Sequence, residues 1–180
     1  MIPLIAQTSR LTLIAASRAL LTAELHKPHY FPVLLGSALP AVWPPVVTGP
    51  DSRPQQLALL TEGGRTAAGW YSWYALRKAH DGTPRTLIGV GGFLGPPDAA
   101  GTVEIDYSVA DEWRGQGLAT ELVAGLVQQA AATGMVRRLL ARPAADNPGA
   151  QQVLRRNGFA ETATLPDGRL SFEREVEPAG

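Results

Sequence analysis

The stretch Trp113-Arg114-Gly115-Gln116-Gly117-Leu118-Ala119-Thr120 joins a strand pattern to a helix pattern. Before it, Val103-Glu104-Ile105-Asp106-Tyr107-Ser108-Val109 alternates apolar and polar residues with period two, as a half-buried strand does. After it, Leu118, Leu122, Val123, Leu126, Val127 and Ala130 recur at helical spacing. A helix is therefore expected over 118–133, with Gly134 as its C-terminal stop. Two glycines between such elements let the backbone bend sharply and let a ligand come close. The helix start adds N–H groups without intrahelical partners and the positive end of a dipole. Both suit phosphate oxygens, and Arg114 adds a permanent cation.

Two common phosphate motifs do not fit this turn. No Gly-Lys-Ser/Thr follows, so it is not a P-loop. A dinucleotide fingerprint needs a third glycine and an acidic residue about twenty positions later. Thr120 and Arg137-Arg138-Leu139-Leu140 stand there instead.

A second block, Asn147-Pro148-Gly149-Ala150-Gln151-Gln152-Val153-Leu154-Arg155-Arg156-Asn157-Gly158-Phe159, follows an apolar strand pattern over 135–141. With both blocks in order, the chain resembles the GNAT superfamily of acyl-CoA-dependent N-acetyltransferases. The family's first block reads Arg/Gln-x-x-Gly-x-Gly/Ala, and Arg114, Gly117 and Ala119 occupy those slots. Its second block is an Asn, a short helix and Gly-Phe, matched by Asn147, Gly158 and Phe159. The clear match spans 103–159. Thr8-Ser9-Arg10-Leu11-Thr12-Leu13 is similar to the opening strand of the RimJ/RimL-like branch. Many family members protonate the leaving thiolate with a Tyr in the second-block helix; that slot holds Leu154 here. RimJ/RimL-like members often carry an aliphatic residue there. The Ser they usually have three residues after the Asn is Ala150 in this chain.

The resemblance implies a GNAT fold: α+β (α/β mixed), with a central, mostly antiparallel twisted sheet splayed at the cofactor strand and flanked by helices. It implies acetyl-CoA as cosubstrate and direct transfer to an amine in a ternary complex. Arg114, Gly115, Gln116, Gly117, Leu118, Ala119 and Thr120 would hold the pyrophosphate, mainly by backbone. Asn147 would bond the pantetheine or adenosine side. Backbone near Ser108 and Val109 would hold pantetheine and polarise the acetyl carbonyl.

Acetyl transfer needs a neutral amine, an oriented carbonyl and a proton donor for the thiolate. Glu104, Asp106 and Ser108 share one strand face. Glu104 is the preferred base, because GNAT enzymes often carry a Glu on this strand; Asp106 is the second choice. Each carboxylate can equally be a surface group in an ion pair. Ser108 is a candidate thiolate donor, or else a hydroxyl bonded to nearby backbone. Trp43 stands in the early region where GNAT enzymes shape the acceptor site, and is a candidate substrate contact. Trp70, Tyr71, Trp73 and Tyr74 are assigned mainly to packing, with Trp70 and Trp73 on opposite strand faces. Trp113 is expected to anchor the glycine turn by packing.

An α-amine, with pKa about 7.8, is roughly one-tenth neutral at pH 7; a lysine amine near 10.4 is neutral less than about one time in a thousand. A site without the family Tyr is easier to reconcile with the α-amine of a protein or peptide N-terminus. Acceptors among small amines (an amino acid, a polyamine or an antibiotic) remain open. So do a non-catalytic coenzyme-A-binding module and a partner-binding domain whose glycine turn is empty.

Composition agrees with one domain over 1–180. A chain of 180 residues can bury about 70% of its unfolded surface. Lysine plus arginine and aspartate plus glutamate each number 16, giving zero net charge and no case for nucleic-acid binding. Arg137-Arg138 and Arg155-Arg156 read first as solvated element ends, and second as partners for coenzyme A phosphates. There are no cysteines, which removes thiolate metal sites and a cysteine acyl-enzyme and is compatible with a cytoplasmic setting. His26, His29 and His80 lack metal spacing, so no metal is expected. The first seven residues do not read as a signal peptide, and no apolar run approaches a membrane span of roughly twenty residues.

Further elements follow from pattern. A strand is expected over 11–14, a helix over 18–25, and a short helix with loops over 27–54. Gly49-Pro50-Asp51-Ser52 is a turn signal. Helix is expected over 55–61, then strands over 66–76 and 86–94 joined across Asp81-Gly82-Thr83-Pro84. Gly95-Pro96-Pro97-Asp98 turns into the strand at Val103. A final hairpin over 161–165 and 170–175 turns at Pro166-Asp167-Gly168, and a homodimer through it is an open option. The order is an antiparallel meander followed by a βαβ crossover at the glycine turn.

Overall fold

The computed structural model describes residues 4–43 and 53–179; the turn expected at Gly49-Pro50-Asp51-Ser52 lies outside them. The chain runs β1 (Ile5–Gln7), β2 (Leu11–Ala15), α1 (Arg18–His26), α2 (Phe31–Leu35), α3 (Arg53–Ala67), β3 (Ser72–Arg77), β4 (Thr86–Phe93) and β5 (Thr102–Val109). After a 3₁₀ turn at Asp111–Trp113 come α4 (Leu118–Thr133), β6 (Arg138–Ala141), α5 (Pro148–Arg156), β7 (Ala160–Thr164) and β8 (Leu170–Glu175).

The strands form one eight-stranded sheet in the order β1-β2-β3-β4-β5-β6-β8-β7. Among the described strands only β5 and β6 pair in parallel, because α4 carries the chain back across the sheet between them. The mixed α/β meander and crossover read from the sequence are thus present. Asp81 (φ 45°) and Gly82 (φ 78°) make the tight hairpin turn between β3 and β4.

Helices cover both faces. Leu118, Leu122, Val123 and Leu126 of α4 are buried against Leu11, Leu13, Ile105 and Val109 of the sheet. Each such leucine contributes about 1.5–3 kcal/mol by leaving water. Gly125 lets α4 approach closely: an added Cβ would lie 2.5 Å from Leu13 Cδ1. A second cluster joins Leu20, Leu21, Phe31 and Leu60 of α1 to α3 with Tyr74, Leu76 and Leu87 of β3 and β4.

The region between 61 and 72 departs from the sequence reading. Helix α3 kinks at Gly64 (φ 56°) and resumes to Ala67, and β3 begins only at Ser72. Ala67 and Ala68 favour helix over strand, and Gly69 (φ 84°) supplies the turn that ends it. Trp70 therefore precedes the strand, and strand alternation does not govern it. Trp70 and Trp73 lie in the same core cluster, not on opposite faces. Trp70 packs edge-on against Phe93 with ring centroids 5.7 Å apart, and Trp73 Nε1 donates to Gly69 O at 2.9 Å. Strand β1 was not anticipated, and β6 is shorter than its apolar pattern. Among the described residues no helix is long and apolar enough to cross a membrane.

Candidate active site

The sheet opens where β6 stops short. The parallel pairing runs from Thr102 opposite Arg138 to Glu104 opposite Leu140. Strand β6 ends at Ala141 while β5 continues to Val109. The far edge of β5 is therefore free of a strand partner beyond that point among the described residues.

Register decides which groups face the opening. Ser108 lies opposite Val90, Ala110 N donates to Ile88 O at 2.8 Å, and Leu94 N donates to Glu104 O at 2.9 Å. Antiparallel bonding alternates along a strand, so Glu104, Asp106 and Ser108 direct their main chains toward β4. Ile105, Tyr107 and Val109 direct theirs toward the opening. The main chain at Val109 is thus placed at the groove. That at Ser108 is committed to β4, which leaves the Ser108 hydroxyl as its part available to the groove.

Beyond Val109 the glycine turn leads into α4. Gly115 (φ 75°) and Gly117 (φ 77°) are both left-handed, the conformation that favours glycine. The first backbone bond of α4 runs from Glu121 N to Gly117 O at 3.2 Å. The N–H groups of Leu118, Ala119 and Thr120 precede it, and no side chain caps the helix. This is a donor set for an anion. Arg114 Nε donates to Val109 O at 3.2 Å, and its Nη1 lies 3.1 Å from Asp111 Oδ1. Trp113 is partly buried against the main core, its ring 6.4 Å from that of His80.

Two lobes meet at β5. The first, of about 620 Å³, is lined by Ser108, Val109, Arg114, Gly115, Gly117, Leu118, Ala119 and Thr120, together with Asn147, Gln152 and Arg156. The second, of about 450 Å³, is lined by Glu104, Asp106, Leu94, Arg142, Leu154 and Arg169 among others. Asp106, Tyr107, Asn147 and Ala150 line both. Of the residues expected at the turn, Gln116 alone is absent from the lining, and its carbonyl accepts from Arg10 Nη1 at 2.9 Å.

Helix α5 forms the opposite wall. Asn147 caps it, its Oδ1 accepting from Ala150 N at 3.1 Å, which leaves the side-chain amide N–H groups for a ligand. Buried Asn157 ties the end of α5 to the start of α4, donating from Nδ2 to Thr120 O at 3.1 Å. Arg156 lines the larger lobe. Its neighbour Arg155 instead meets Glu161 at 3.1 Å and lies over the Phe172 ring.

The two acids line the smaller lobe in different settings. Glu104 Oε2 lies 3.3 Å from Arg142 Nη1. Asp106 Oδ1 accepts from Tyr107 N at 2.8 Å. Trp43 lines neither lobe; its Nε1 donates to Glu24 Oε1 at 3.0 Å. The same carboxylate oxygen accepts from Arg53 Nε at 2.9 Å.

Tyr107 was missed as a site residue. Its hydroxyl donates to Ala150 O at 3.0 Å, across the groove from β5 to α5. Burial, and then the nearby Asp106 carboxylate, push its pKa well above the ordinary phenol value, so it stays protonated. A tyrosine on an apolar strand face was the available signal, because a buried phenol needs a partner. Among the described residues no cluster of three or more His, Cys, Asp or Glu could hold a metal.

Residues 23–160 match a family model described as an acetyltransferase (GNAT) domain. The chain is 29% identical over 153 residues to the uncharacterized N-acetyltransferase YjdG of Bacillus subtilis (strain 168), covering 85% of this chain and 88% of that relative. It is 36% identical over 73 residues to the ribosomal-protein-serine acetyltransferase of Escherichia coli (strain K12), 41% of each. Among solved structures, the ribosomal L7/L12 alpha-N-protein acetyltransferase RimL in complex with coenzyme A superposes with TM-score 0.65 at 18% identity, covering 99% of both chains. The spermidine/spermine N-acetyltransferase SpeG from Vibrio cholerae does so with TM-score 0.62 at 17% identity, covering 93% of this chain and 95% of that one. At such identities the structural likeness is one of fold.

Proposed function

The chain belongs to the acetyltransferase (GNAT) family, and on that premise we propose that it moves an acetyl group from acetyl-CoA to a primary amine. The favoured acceptor is the α-amine of a peptide or protein N-terminus. The observation that carries this reading is the groove itself. It runs from the uncapped start of α4, past the open edge of β5, into a lobe lined by two carboxylates.

The residues fit acetyl-CoA. The left-handed turn at Gly115 and Gly117 aims the N–H groups of Leu118, Ala119 and Thr120 at one place, where pyrophosphate oxygens would lie. Arg114 and Arg156 line the same lobe and supply compensating charge. The main chain of Val109, together with Asn147, would hold the pantetheine arm. When bound, acetyl-CoA supplies the activated thioester.

The protein then has two proton tasks. Glu104 or Asp106 accepts the proton of the entering ammonium group, directly or through water. The Ser108 hydroxyl is the donor available near the leaving sulfur. Membership of the family implies direct transfer in a ternary complex, and the absence of cysteine removes a thiol acyl-enzyme as an intermediate.

A small-molecule amine is the second reading, favoured by the modest volume of the acidic lobe, about 450 Å³. Initial rates with acetyl-CoA and a peptide amine varied together test direct transfer. Intersecting double-reciprocal lines are expected. Parallel lines, or no acetylated product, would overturn it.

A further inference from the structure

The acceptor lobe is lined by charge of both signs. Glu104 and Asp106 stand on β5, while Arg142 stands just past the end of β6 and Arg169 at the turn before β8. The walls are tied together, because Leu170 N donates to Pro143 O at 3.0 Å. Two arginines are therefore held on one side of a cavity of about 450 Å³.

Neither arginine is consumed by its own ion pair. Arg142 meets Glu104 through one terminal nitrogen, Nη1, at 3.3 Å. Arg169 uses Nε toward Asp167 Oδ2 at 2.7 Å. A guanidinium has five N–H donors in a fork that matches a carboxylate, so both retain donors for a ligand. The arginine side chains are 37% and 47% exposed, accessible to an incoming group yet anchored at one end.

We propose that this lobe selects an amine bearing a carboxylate a few bonds away, the amine lying toward Glu104 and Asp106 and the carboxylate toward Arg142 and Arg169. Two sources have this chemistry: a free α-amino acid, and a peptide N-terminus with an acidic residue in its first two positions. The inference rests on the acceptor assignment above and deepens it. Arg142 then has a second role. A carboxylate that reaches its fork draws it from Glu104, and frees Glu104 to take the ammonium proton. A polycationic amine is disfavoured, because its second ammonium would meet the guanidinium groups of Arg142 and Arg169.

The test is a binding measurement, so that it does not depend on turnover. The protein saturated with coenzyme A is titrated calorimetrically with Ser-Asp-Ala-Ala, Ser-Asn-Ala-Ala and free aspartate. The aspartyl peptide or the free amino acid is expected to bind at least tenfold tighter than the asparaginyl peptide. Whichever of the two binds tighter identifies the source. Arg142→Gln and, separately, Arg169→Gln are expected to reduce that ratio severalfold. Equal affinities in the wild-type protein, or an unchanged ratio in both variants, would overturn the proposal. Adding acetyl-CoA and analysing product reports on transfer separately. Acid-selective binding without any product would sink the transferase reading and leave this one standing.

Discussion

Arg10 and Glu121, 111 positions apart in the chain, lock the turn between β1 and β2 to the glycine turn. Arg10 Nε donates to Glu121 Oε2 at 2.7 Å, its main-chain N–H donates to Oε1 at 2.6 Å, and Thr8 Oγ1 donates to the same oxygen at 2.7 Å. The other end of the Arg10 guanidinium holds Gln116 O at 2.9 Å. One side chain thereby joins β2, the first turn of α4 and the loop between the glycines. Replacing Arg10 by Met is expected to weaken coenzyme A binding severalfold, through loss of turn position. Calorimetric titration of both proteins checks this, and equal affinities would count against it.

Glu121 gives this lock a pH dependence. Burial would raise its pKa, but the bonds from Thr8 and Arg10 outweigh it and hold the group below its ordinary 4.5. A depressed folded pKa means that the unfolded state binds more protons. The stabilisation is complete above about pH 4.5 and is lost as pH falls through the folded value. Glu121→Gln is expected to cost about 1–3 kcal/mol at neutral pH. Its melting temperature should converge on that of the wild type as the pH falls below 4.5 and through the folded value. A constant gap across that range would refute the assignment.

Gly117 has φ 77°, and an added Cβ would lie 3.4 Å from Arg10 Nη2. Gly117→Val is therefore strained by its backbone and would crowd the phosphate approach. A loss of at least tenfold in coenzyme A affinity is expected from a protein that still melts cooperatively. Unchanged affinity would remove the pyrophosphate from this turn.

Glu104 and Asp106 are separable by their partners. Glu104→Gln is expected to lower kcat by about 10²–10⁴-fold, the usual contribution of a general base. Asp106→Asn keeps an acceptor for Tyr107 N–H and is expected to cost less. The reverse ranking would transfer the base role to Asp106.

Leu154 is fully buried. Leu154→Ala should destabilise the protein by about 2–5 kcal/mol through loss of packing, as read by denaturant unfolding. Tyr107→Phe removes only the bond to Ala150 O and should cost about 1 kcal/mol.

The parts legible in the sequence were those with strong local period. Alternation over β5 and the apolar stripe of α4 placed the strand, the turn and the helix that form the cofactor lobe. The end of α3 was not legible, because Gly63 and Gly64, residues disfavoured inside a helix, interrupt its pattern where it kinks. Contacts between distant segments were also hidden. Nothing near Arg10 names Glu121, and nothing near Trp43 indicates that its indole is bound to Glu24. Arg142 and Arg169 carry no local signal, and it is the hairpin of β7 and β8 that brings Arg169 beside the acceptor lobe.

Incubation of the protein with acetyl-CoA and a panel of amines, read by mass spectrometry, tests the central claim most directly. The panel contains peptides of varied N-terminal sequence, free amino acids, polyamines and aminoglycosides. Acetylation of an α-amine is expected, with acid-bearing acceptors ahead of polyamines. No acetylated product from any amine, although coenzyme A binds, would contradict it.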